Sequence, residues 1–202
     1  MTITLNGTTG ITTPPVSVEG STSGTITFVA PAVAGTNTQT LVAATDTLAP
    51  IVRGTAVAST SGTSIDFTSI PSWVKRITVM LSGVSTNGTS PVQVQIGSGS
   101  FTTSGYVGAI TYAAGTNVTT SYSTGFIVHT NITSSVIAYS NIVINTLGSN
   151  IWVESGTTGA NGNAVAIGTG GLTLGGVLDR VRITTVNGTD AFDAGTINIL
   201  YE

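Results

Sequence analysis

Cysteine is absent from this 202-residue chain, so disulfides and thiolate metal sites play no part in its fold. Charge is nearly absent too: Asp, Glu, Lys and Arg make up 6% of the residues, against roughly 25% in an ordinary soluble domain. The cations are Lys75, Arg53, Arg76, Arg180 and Arg182, they form no basic run, and the net charge is -3. That balance argues against nucleic acid or an anionic membrane as partner. Thr, Ser and Gly interrupt every apolar run short of the roughly 18 residues of a spanning helix, so membrane insertion is not expected. Met1 to Gly10 has neither the positive start nor the unbroken apolar stretch of a secretory signal, which predicts synthesis and assembly in the cytoplasm.

Motifs of catalysis are missing as well. The only lysine follows Val74, which rules out a P-loop, and no G-x-S-x-G or H-E-x-x-H occurs. His129 in "FIVHTNI" falls on one face of a strand and reads as structural. Glu154 is the carboxylate that a glycoside-cleaving spike would recruit together with an aspartate, but sequence separation does not reveal such pairs. Asp190 and Asp193 with Asn187 offer oxygen ligands for Ca²⁺. Their spacing departs from the EF-hand loop and Asx turn-making accounts for them equally well, so no metal site is assigned and no cofactor is expected.

What the chain has in quantity is β-branched residues in alternation. "KRITVMLSGV" places Ile77, Val79 and Leu81 on one face, "PVQVQIG" sets Val92, Val94 and Ile96 against Gln93 and Gln95, "RVRITTV" alternates Val181 and Ile183 with the arginines, and "TINILYE" aligns Ile197, Ile199 and Tyr201. Asn-Gly pairs at Asn87-Gly88, Asn161-Gly162 and Asn187-Gly188 mark tight turns. The glycine-rich "GTGGLTLGG" from Gly168 to Gly176 reads as a loop or bulged edge strand. About eight strands without an amphipathic helix predict an all-β protein: an extended N-terminal β-segment followed by an antiparallel, jelly-roll-like β-sandwich.

Aromatic residues divide the chain. Phe28 is the only one before residue 60, whereas they recur from Phe67 onward. Residues 61–202 therefore have the bulk for a core, and residues 1–60 do not. The ribbon from Ile26 to Pro50, with Asp46 its single charge, is apolar enough to need a partner surface. Sister copies or another protein would supply one, making residues 1–60 a trimerisation or attachment segment.

"GTITFVAPAVAGTNTQTLVAATDTLAP" resembles a segment found near the N-terminus of tail-fibre and other tail-associated proteins of tailed bacteriophages. "SIDFTSIPSWVKRITVMLSGVSTNGTS", "SGYVGAITY" and "LDRVRITTVNGTDAFDAGTINILYE" resemble a C-terminal β-sandwich module of such proteins. The resemblance implies a virion component, commonly a homotrimer, anchored to other virion proteins by its N-terminal part and facing the host with its C-terminal part. A head, collar or tail decoration without host ligand, or a small polysaccharide-cleaving spike, are the alternatives. For host contact, Tyr106, Tyr112 and Tyr122 in a Gly/Ser/Thr-rich stretch and Trp152 before the polar "SGTTGANGN" are the candidate glycan-binding rings, since a sugar's apolar face stacks on an aromatic one. The competing use of the same rings is core filling.

Overall fold

The structure, a computed structural model, describes residues 50–114, 116–130, 133–161 and 164–202, together with the strand backbone at Val16–Glu19 and Thr25–Phe28. The chain divides into two compact units, Met1–Asp46 and Thr47–Glu202. Within the first, β1 (Val16–Glu19) pairs antiparallel with β2 (Thr25–Phe28). Apart from β2 and Pro50, the ribbon from Ile26 onward lies outside the described residues.

The second unit is all-β among its described residues. It opens with two short strands, β3 (Val52–Arg53) and β4 (Val57–Ala58), then β5 (Ser64–Thr68), the long β6 (Arg76–Thr86), β7 (Val92–Ser98) and the short β8 (Ser100–Phe101). Two hairpin partners follow, β9 (Val107–Ala114) and β10 (Thr116–Tyr122), then β11 (Phe126–His129) and the meander β12 (Ala138–Gly148), β13 (Ile151–Ala160) and β14 (Ala164–Thr173). The last two are β15 (Arg180–Thr185) and β16 (Phe192–Tyr201).

Every pairing among the described residues is antiparallel. The large sheet runs β10-β9-β14-β13-β12-β6-β16-β3, with β4 also on β16; the small sheet runs β11-β7-β15-β5, with β8 on β7. β11 packs across β9, β12, β13 and β14, and the two inner faces bury one core. The alternation of β6, β15 and β16 is realised as expected: Ile77, Val79, Leu81, Val181, Ile183, Ile197 and Ile199 are all buried. The module is thus an antiparallel sandwich.

Two stretches differ from expectation. Gly168 to Thr173 is no loop or edge but part of β14, an interior strand held by β13 on one side and β9 on the other, and only the last three residues up to Gly176 lie outside it. Likewise the polar stretch after Trp152 continues as β13 as far as Ala160. Glycine tolerates an interior strand when both neighbours supply ladder bonds, so its abundance here conceals regular pairing. The sandwich also begins earlier than residue 61. Gly54 N donates to Ile199 O at 2.8 Å and Ser59 N donates to Gly195 O at 2.9 Å, which stitches residues 52–59 to β16.

Candidate functional site

Three of the four candidate aromatics, Tyr112, Tyr122 and Trp152, stand at inward-facing positions of the large sheet, and Tyr106 lies just before β9. In the antiparallel register, Tyr122 on β10 stands opposite Gly108 on β9, Gly108 opposite Gly170 on β14, and Gly170 opposite Glu154 on β13. Because the two intervening residues have no side chain, the Tyr122 ring lies over them and its hydroxyl donates to Glu154 Oε2 at 3.2 Å. A Cβ at Gly170 would sit 2.5 Å from that hydroxyl, and one at Gly108 would sit 2.6 Å from the Thr169 carbonyl and against the Tyr122 ring.

Glu154 is 3% exposed. Burial pushes its carboxyl up from 4.5 to about 7, opposed by the Tyr122 hydrogen bond, which favours the ionised form. Burial raises the Tyr122 phenol as well, followed by the neighbouring Glu154 charge. Glu154 is therefore a core acid, enclosed where no polysaccharide reaches it.

The other rings are also structural. Tyr106 packs edge-on against Phe126 at 4.8 Å, and its hydroxyl accepts from Ile96 N at 2.8 Å and donates to Thr102 O at 3.1 Å, tying β7 to the segment after β8. Trp152 is buried, its Nε1 without a hydrogen-bond partner among the described residues. Tyr112 is half-buried and meets His129 edge-on at 5.1 Å. His129 itself is fully buried, and burial lowers its imidazole from 6.5 to about 4. Tyr106, Tyr122 and Trp152 thus lie in the core, the competing use the sequence allowed them, and burial leaves them little face for a sugar. Only Tyr112 retains partial access.

The Asp190 turn resolves into Asx chemistry. Asp190 accepts from Asn187 Nδ2 at 2.7 Å and from Ser90 N at 2.9 Å, while Asn187 Oδ1 accepts from Thr189 N at 3.0 Å. These bonds, the Asn187 amide first, hold the Asp190 carboxyl below its usual range. Asp193 instead accepts from the Ser85 hydroxyl. No group of three or more His, Asp or Glu side chains positioned for a metal exists among the described residues.

The outward face of the small sheet builds a different kind of site. Registers align Gln95, Arg182 and Asp66 in one row and Gln93, Thr184 and Ser64 in the next. Thr124, from the loop before β11, closes over them: its hydroxyl donates to Gln93 Oε1 at 2.9 Å and its carbonyl accepts from Gln95 Nε2 at 2.9 Å. Both glutamines are consequently buried although they point away from the core. Arg182 is held by Asp66 in a bidentate pair at 2.8 and 2.7 Å, with its guanidinium 4.0 Å from the Phe101 ring centroid. The result is a recess of about 310 Å³ walled by amides, hydroxyls and Arg182, whose charge Asp66 neutralises from beside it. With its charge cancelled, such a wall offers neutral donors and acceptors and suits a polyhydroxylated neutral group better than an ion. In the sequence, Gln93 and Gln95 look like an ordinary wet strand face; only Thr124, distant in sequence, makes them a pocket wall.

Comparison of the chain with family models, with curated proteins and with solved structures gives no match.

Proposed function

We propose that the chain is a non-enzymatic structural protein of a tailed-bacteriophage virion, a short homotrimeric tail fibre or fibre tip. In this reading its first unit attaches to other virion proteins and its sandwich contacts the host surface by multivalent adhesion. The observation that carries the reading is the order of parts: a separate N-terminal unit ending at Asp46, then an all-β sandwich. This order agrees with the attachment-then-distal-module layout of the proteins the sequence resembles. The near absence of charge supports it, since many copies pack together at little electrostatic cost. Host glycan contact is proposed for the Gln95–Arg182–Thr184 recess, with Tyr112 the one remaining ring candidate. A second reading, a head, collar or tail decoration without host ligand, is favoured by the burial of Tyr106, Tyr122 and Trp152.

Binding of the labelled full-length chain to an array of bacterial surface glycans separates the two. Retention on a neutral glycan, lost when Arg182 is replaced by Ala with the melting temperature within a few degrees of wild type, supports adhesion. No retention on any glycan would leave the decoration reading standing.

A further inference from the structure

Among the described residues the sandwich has four sheet edges, and three are guarded. At the β16 side of the large sheet, β3 and β4 are two residues each, separated by a segment that Asn198 Nδ2 clamps through a 3.1 Å bond to Gly54 O, and β3 carries Arg53. In the small sheet, β5 carries Asp66, and the opposite edge consists of the two-residue β8 and the four-residue β11, whose register shifts between Ile127 and His129. Shortness, bulges and charge are the devices that keep edges from pairing with another chain.

β10 has none of them. It is seven residues long, pairs with β9 without a register shift, contains no proline and no charge, and its side chains from Asn117 to Ser121 are all exposed. Its neighbour β9 is also uncharged. Val118, opposite Tyr112 on the inward-facing side, is 54% exposed, an apolar side chain that its own sandwich leaves uncovered.

We infer that β10 is a docking edge for a second copy of this chain, pairing antiparallel with its own counterpart across a two-fold axis. Every second residue of an edge strand directs its N–H and C=O outward, so a self-pair of this length closes about six to eight backbone hydrogen bonds. Identity of the two strands is no obstacle, because with no charge on β9 or β10 the two-fold opposes no like charges. At β5 it would bring Asp66 toward its own copy. Antiparallel self-pairing also needs only one sequence and one patch, the self-complementary arrangement of a two-fold contact. One seven-residue strand pair buries less than the roughly 800 Å² per partner of a standard interface, so the contact is reversible and concentration-dependent. The inference goes beyond the virion reading: it joins sandwiches pairwise whatever stoichiometry residues 1–46 set.

A chain without cysteine makes the test direct. In a two-fold antiparallel pair one residue faces itself, so single-thiol variants of the full-length chain at Asn117, Val118, Thr119, Thr120 and Ser121 are oxidised in turn, with Val165→Cys on the outer face of β14 as control. One of the five positions is expected to form a disulfide-linked pair at least tenfold faster than the control, because only the central residue brings two Cβ atoms within the roughly 4 Å that a disulfide spans. Wild-type hydrogen exchange supplies a second readout: β10 amides slow as concentration rises from about 1 μM to about 100 μM. Linking no faster than the control at all five positions, or β10 exchange independent of concentration, overturns the inference, and a trimer lacking a fast-linking position does so equally.

Discussion

Replacing Glu154 with Gln should make the stability of the protein more, not less, dependent on pH between 4.5 and 6.5. The native carboxyl holds its proton up to about 7, while the unfolded one releases it near 4.5. Over that interval the folded state binds one proton more than the unfolded state, so stability falls by about 1.4 kcal/mol per pH unit, about 3 kcal/mol in all. His129 works in the opposite sense. Its folded imidazole titrates near 4 and its unfolded one near 6.5, so the unfolded state binds the extra proton and stability rises with pH over nearly the same interval, by a similar amount. The wild-type profile is the sum of the two, nearly flat from pH 4.5 to 6.5. Glu154→Gln removes one arm and leaves a rise of about 3 kcal/mol from pH 4 to 6.5, and the variant should exceed wild type by about 3 kcal/mol at pH 8. His129→Gln leaves the opposite arm, a fall through pH 7. Urea unfolding of wild type and both variants at half-unit pH steps measures these slopes directly. Parallel profiles for all three proteins would refute the reasoning, since they would mean that neither buried group changes its proton occupancy on folding.

Other perturbations test the geometry. Gly108→Ala and Gly170→Ala each place a methyl against the Tyr122 ring and a neighbouring carbonyl, and each should cost about 2–3 kcal/mol in chemical unfolding; a loss below about 0.5 kcal/mol would mean the ring does not lie over that glycine. Gly88→Ala drives its new Cβ onto the Asp190 carboxylate, which two hydrogen bonds keep from moving aside. It should lower the midpoint of unfolding by about 1–3 kcal/mol equivalent, and the double variant with Asp190→Ala should recover part of the loss.

Strands whose two faces differ in chemistry were legible in the sequence. Ile77, Val79 and Leu81 on β6, or Val181 and Ile183 on β15, alternate with Thr and Arg, and period 2 alone assigns them to the core. The second half of β13 and most of β14 hide because glycine and threonine supply no such contrast: "SGTTGA" and "GTGG" look like turns until the ladders on both sides are known. The mixed inner row misleads for a related reason. Tyr122 and Glu154 share the core face of one sheet, but the two glycines between them come from other strands, so no local pattern announces a buried acid. The recess escapes sequence reading on the same ground. That the sandwich already includes β3 and β4, before residue 61, is equally opaque, since both are too short to show a period.

The Tyr122 ring lying across two strands acts as a gauge of register. Binary patterning rejects a slip of one residue, because that turns every apolar side chain toward water, but it is blind to a slip of two, which restores each side chain to its proper face. Moving β9 by two residues would bring Tyr106 or Ile110 beneath the ring in place of Gly108, and moving β14 toward Leu172 would do the same there. A bare spot two strands wide, matched to one phenol, thus proofreads the misalignment that alternation of Val, Ile and Thr leaves uncorrected in a sheet of such uniform composition.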